Sequence, residues 1–106
     1  MKRVPISNST HSCPAESCLR VISGRWKVPI LYHLKDCTRR FSELRRDLVS
    51  VSPKVLAQQL REMERDGIVS RKVYAQVPPK VEYSLTSMGR SLLPVVHAMC
   101  QWKKRR

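Results

Sequence analysis

Residues 52–67 read SPKVLAQQLREMERDG. The stretch opens and closes as a helix should. Ser52 carries a side-chain oxygen suited to the unpaired amides of a first turn, and Pro53 fits that turn because its missing N–H would find no partner there. Gly67 supplies the residue that ends the helix after Asp66. At about 100° per residue, Leu56, Leu60 and Met63 fall in one narrow arc, which is a core stripe. Lys54, Gln58, Arg61 and Arg65 gather on the opposite side, with Ala57 at the margin. Such a face matches the major groove of duplex DNA: cationic forks reach guanine or phosphate, an amide reads adenine, and a small methyl meets thymine. Reading helices use their N-terminal half, so Lys54, Ala57, Gln58 and Arg61 are expected at bases, Ser52 at the DNA beside them, and Arg65 nearer the backbone. A solvated helix face is the plain alternative. The neighbours on either side favour the groove.

Upstream, Ser42 is expected to cap a helix from Glu43 to Leu48, with Phe41 and Leu44 turned inward. A helix in that place crosses the DNA backbone, which makes Ser42, Arg45 and Arg46 phosphate candidates, flanked by Arg39 and Arg40. Downstream, Val69 to Tyr74 is β-like, and Val81, Tyr83 and Leu85 alternate with Lys80, Glu82 and Ser84. Between them AQVPP, residues 75–79, reads as a hairpin tip held extended by its prolines. Arg71, Lys72 and Lys80 lie beside that tip, and Gln76 is placed to enter the minor groove. Edge strands also carry lysine simply to discourage aggregation, so the two readings of the ribbon stand level.

Farther out, residues 1–12 read as a polar, mobile arm. Pro14 starts a short helix with Cys13 near its cap, an apolar side of Cys18, Leu19, Val21 and Ile22, and an end at Gly24. A second helix is expected from Arg25 to Lys35, with Trp26, Ile30, Leu31 and Leu34 inward and Pro29 near its start. Thr38 to Phe41 reads as short and extended. Thr86 caps a last helix that runs to the basic end, with a kink expected at Pro94. The order of helix, helix, short strand, helix, helix, hairpin and helix is that of a winged helix-turn-helix. The fold class is mainly α with a small β-hairpin, one domain over residues 13–106. Leu92, Leu93, Val95, Val96, Met99, Cys100 and Trp102 cover about half of the last helix, more than a surface helix needs. The excess predicts a homodimer, with Cys18, Leu19, Ile22, Leu92, Val96, Met99 and Cys100 at its interface.

Charge narrows the partner. Among 106 residues, 21 Lys and Arg face 8 Asp and Glu, a net charge of +13. Self-repulsion of that size is most simply compensated by a polyanion. The cations spread from Lys2 to Arg106 rather than along one amphipathic segment, and no apolar run spans a bilayer, so a membrane is not the expected partner. One Phe and three Tyr are too few for a base-stacking platform, which leaves double-stranded DNA. Cys13, Cys18, Cys37 and Cys100 form no CxxC pair, so no metal is expected; His11 with Cys13 and Cys18 makes a weak irregular candidate. Neither a glycine-rich phosphate loop nor a Ser-His-Asp spacing is present, so no catalytic residue and no cofactor is assigned. The start of the chain lacks the apolar stretch of an export signal, and a cytoplasmic location with reduced thiols is expected.

Cys13 is the residue with chemistry of its own to offer. A thiol at a helix N-terminus in positive surroundings is favoured as thiolate, although burial as a small apolar residue is the commoner fate of cysteine. Cys18 and Cys100 read as packing residues, and Cys37 as an exposed turn residue.

CPAESCLRVISGRWKVPILYHL (13–34), RRFSELRRDL (39–48), SPKVLAQQLREMERDGIV (52–69) and VPPKVEYSLTSMGRSLLPVV (77–96) together resemble the HxlR family of bacterial winged-helix regulators. The resemblance runs from residue 13 to about residue 102. It implies a homodimer through the first and last helices, with the helix from Ser52 to Asp66 in the major groove. It also implies that some members sense electrophiles or oxidants through the cysteine before the proline, here Cys13; it names no small-molecule effector. The expected function is a sequence-specific transcription regulator, acting as a repressor on a palindromic operator. A non-specific architectural nucleic-acid binder is the alternative.

Overall fold

A computed structural model describes residues 13–105. The arm expected over residues 1–12 lies outside that range. Helices α1 (Pro14–Ile22) and α2 (Lys27–His33) lead to a two-residue strand, β1 (Arg39–Arg40). Then follow α3 (Phe41–Asp47), α4 (Pro53–Arg65) and the ribbon of β2 (Val69–Tyr74) and β3 (Lys80–Leu85). Two helices close the chain, α5 (Ser87–Ser91) and α6 (Leu93–Lys104).

Both sheet pairings are antiparallel, in the order β1-β3-β2, so the ribbon gains a third strand from the segment just before α3. Alternation decides its faces. Val69, Tyr83 and Leu85 are buried on one side, while Lys72, Tyr74, Lys80 and Glu82 share the other. The core is one cluster: Ile30, Leu31 and Leu34 from α2 meet Leu44 of α3 and the α4 stripe of Leu56, Leu60 and Met63. Ile68, Val69, Tyr83 and Leu85 close it from the ribbon, and Val96 from α6.

The boundaries differ from the sequence reading where caps and prolines compete. α1 stops at Ile22, before an extended Ser23, and Gly24 takes φ 110, a left-handed conformation natural to glycine. Arg25 and Trp26 are spent in that turn, so α2 begins only at Lys27. The N-cap of α3 is Arg40 rather than Ser42, because Glu43 reaches back to accept the Arg40 N–H at 2.8 Å. Ser42 therefore sits inside the first turn, exposed. Pro94 does not kink a continuous helix. The chain breaks at Leu92, and Pro94 falls in the first turn of α6, where the missing N–H is harmless. At the ribbon tip the Val77–Pro78 peptide is cis rather than part of an extended run.

Candidate nucleic-acid interface

α4 is built as its sequence demands. Ser52 Oγ accepts the Val55 N–H at 3.1 Å, and Gly67, at φ 79, ends the helix. Leu56, Leu60 and Met63 are buried, which fixes the rotation of the rod. Lys54, Gln58, Arg61 and Arg65 are consequently exposed on the far side, and Ala57 is half-buried at the edge. The geometry thus presents a cationic and amide face to solvent.

Each flank of that face has its own support. On one side, Ala57, Arg61 and Glu64 line an open cleft of about 300 Å³ with Arg71 and Tyr83 of the ribbon. Arg71 comes from the inner side of the sheet and stands beside the exposed face of α4; the sequence placed it only near the tip. On the other side α4 leans on α2 through Lys27, whose Nζ lies 2.8 Å from Glu62 Oε1. The Lys27 ammonium holds the Glu62 carboxyl below its ordinary range, chiefly by hydrogen bond and charge, with smaller help from Arg65 and Gln58. Sequence reasoning missed this pair. The run Trp26-Lys27-Val28 gives no sign that its lysine points inward.

The remaining candidates surround α4. Ser42, Arg45 and Arg46 are all exposed and line one shallow depression on α3. A neighbouring hollow links Arg40, Phe41 and Ser42 to Pro79 and Val81, so the start of α3 lies against the ribbon tip. On the outer face of the ribbon, Lys72 and Lys80 sit 5.0 and 4.8 Å from the Tyr74 ring centroid. Tyr74 donates its hydroxyl hydrogen to Glu82 Oε1 at 2.9 Å, and Lys80 Nζ lies 3.4 Å from Glu82 Oε2. The Tyr74 hydrogen bond, then Lys80 and Arg40, hold the Glu82 carboxyl low. Lys80 is thus partly engaged within the protein, while Lys72 is exposed. Gln76 is exposed at the tip.

Residues assigned to an interface divide in two. Leu19, at 55% exposure, Met99, at 39%, and Cys100 are open to solvent, and Cys18 and Leu92 are half-buried. Ile22 and Val96 are instead already buried within the protomer, Val96 as part of the main core. Cys13 is exposed at the N-cap of α1, and Cys13, Cys18, Cys37 and Cys100 are all free thiols. No group of three or more His, Cys, Asp or Glu is placed to hold a metal among the described residues. Nor is any described helix long and apolar enough to cross a membrane.

The profile of the HxlR-like helix-turn-helix family matches residues 21–106. This chain belongs to that family. Among its relatives, the HTH-type transcriptional regulator YdeP of Bacillus subtilis is 48% identical over 99 residues, 93% of this chain and 77% of YdeP. YybR of the same organism is 54% identical over 90 residues, 85% of this chain and 72% of YybR. Among solved structures, the redox regulator HypR in its reduced form superposes with a TM-score of 0.83 at 52% identity, covering 88% of this chain and 92% of HypR. The winged helix-turn-helix fold and DNA-binding transcription regulation follow from these relationships, and double-stranded DNA is the partner that the family implies. The family and these relatives are regulators rather than enzymes.

Proposed function

We propose that this HxlR-type protein is a sequence-specific repressor that binds a two-fold operator as a homodimer and responds to electrophiles or oxidants through Cys13. The observation that carries the DNA reading is the division of α4: its leucines and methionine are buried, and Lys54, Gln58 and Arg61 stand exposed on the opposite side. Ser42, Arg45 and Arg46 then grip phosphate from α3, and Lys72, Gln76 and Lys80 reach the flanking DNA from the ribbon, while Ser52 and Ala57 lie at the groove edge. Solvent-open Leu19 and Met99 on α1 and α6 support pairing of two protomers, which matches a palindromic site. A dimer seated on two half-sites represses by occluding the promoter. Two observations support the thiol response. Cys13 is exposed on the helix proposed to pair, and the relative HypR is named a redox regulator and has an oxidised form that superposes with a TM-score of 0.81.

The test begins with fragments of the source genome selected by the purified protein. Arg61→Ala is expected to relax preference at one base position, whereas Arg45→Ala weakens binding to all sequences alike. Equal affinity for selected and random duplex would instead establish the architectural reading. Diamide is expected to release bound operator from the wild type and not from Cys13→Ser. A Cys13→Ser protein that still responds in full removes Cys13 as the sensor.

A further inference from the structure

The antiparallel register of the ribbon sets four side chains of its outer face at the corners of a square, with Lys72 opposite Glu82 and Tyr74 opposite Lys80. Tyr74 and Glu82 share one diagonal. The Tyr74 hydroxyl donates to Glu82 Oε1 at 2.9 Å, so the ring lies along that diagonal and is fixed at its far end. The two lysines occupy the other diagonal, and their ammoniums lie 5.0 Å (Lys72) and 4.8 Å (Lys80) from the same ring centroid. A ring running between those corners takes one ammonium on each face. Both faces of an aromatic ring are negative, so each cation is attracted while the ring keeps two like charges apart. The tether also occupies Glu82. Lys72 is its direct cross-strand neighbour, yet Oε1 is taken by Tyr74 and Oε2 faces Lys80 at 3.4 Å.

This clip lies in line with other cations. Arg40 pairs with Glu82 on the side away from Lys72, and the hollow it shares with Ser42 leads on to Arg45 and Arg46 of α3. Arg40 and Lys72 are exposed, and Lys80 is half-buried. A free lysine side chain gives up many rotamers when it grips a phosphate, whereas a held one has given them up already. We propose that Tyr74 is a positioning residue for contact with the DNA backbone. Tethered to Glu82, its ring holds Lys72 and Lys80 as a preformed pair of cations for two separate phosphates of duplex DNA. The inference rests on the ribbon reaching the flanking DNA, and it acts alike on every sequence, because phosphates carry no base information.

The experiment titrates the full-length protein and its variants with a selected operator and with random duplex at several salt concentrations. Tyr74→Leu is expected to weaken binding to both by about tenfold, since two lysines must then be ordered on binding. The slope of log affinity against log salt keeps its wild-type value, because both cations still neutralise phosphate. Lys72→Ala/Lys80→Ala weakens both duplexes and lowers the slope by about 0.9 for each phosphate given up. Adding Tyr74→Leu to that double variant costs nothing further. Tyr74→Phe keeps both faces of the ring and loses only the tether, so it binds between wild type and Tyr74→Leu. Proton NMR of the free wild type gives a reading that needs no variant: the methylene protons beside both ammoniums are shifted upfield by the ring. Ordinary shifts at both lysines, wild-type affinity in Tyr74→Leu, or the same tenfold loss when Tyr74→Leu is added to the double variant each overturns the inference. A slope lowered by Lys72→Ala/Lys80→Ala then still leaves the ribbon as a DNA contact. An unchanged slope in the double variant removes both.

Discussion

Gly89 should not tolerate a methyl group. It is buried on α5, and its N–H donates to Thr86 Oγ1 at 3.0 Å. A Cβ built there would overlap the Ile68 carbonyl oxygen, with Ile68 C and Cγ2 each 3.2 Å away. That oxygen cannot step aside. It accepts the Thr86 N–H at 3.0 Å and lies 3.1 Å from the Thr86 hydroxyl, which donates to the Gly67 carbonyl oxygen at 2.6 Å. Relieving the overlap means moving backbone, and overpacking of this kind costs about 1–3 kcal/mol. Losing the Thr86 N–H hydrogen bond adds about 1 kcal/mol. Alanine returns about 1 kcal/mol through its better helix propensity. Gly89→Ala is therefore expected to destabilise the fold by about 2 kcal/mol, which lowers the melting temperature of a domain this size by about 10 °C. Thermal unfolding followed by circular dichroism measures it. A melting temperature within about 2 °C of wild type would refute the reasoning. Binding should suffer as well, because Ile68 joins the end of α4 to the start of β2 and a shifted Ile68 re-aims the ribbon.

Three other outcomes are expected. Ser52→Ala, which removes the oxygen that takes the Val55 N–H, should cost about 1 kcal/mol in urea denaturation, and Ser52→Gly only a few tenths. Glu62 has a folded-state carboxyl held below its usual value of 4.5, so its contribution is complete above that value and is lost as pH falls through the lower folded one. A stability profile across acidic pH should accordingly fall less steeply in Lys27→Met than in wild type. If Lys72 neutralises one phosphate, Lys72→Ala should reduce the slope of log affinity against log salt by about 0.9, as read from operator titrations at several salt concentrations.

Periodicity and caps made most of the architecture legible. The α4 stripe of Leu56, Leu60 and Met63 and its Ser52 cap stand where the sequence puts them, because local signals and burial agree there. The alternation of Val81, Tyr83 and Leu85 likewise marks the inner side of β3. Misreadings came where two local signals compete. Ser42 is a good cap by type, but Glu43 can reach the Arg40 amide, and that earlier start wins. Pro94 has two remedies, a kink or a new helix start, and the pattern of apolar residues does not choose between them. The flanks of the site were hidden for another reason. Lys27 meets Glu62 across 35 residues of chain, and Arg71 reaches α4 only once the ribbon folds back. No short-range pattern encodes such contacts. Val96 shows the converse: an apolar residue assigned to a partner surface can be consumed by its own core.

β1 is only two residues long, yet its pairing of Arg39 with Tyr83 and Arg40 with Glu82 bolts the start of α3 to the middle of the ribbon. α3 and the ribbon therefore travel together, like the jaws of a caliper set to one gauge. If the proposed thiol response acts through α1 of the proposed homodimer, it should turn or translate whole heads against each other, and release from DNA should come as a change in the spacing between half-sites, with each head left intact.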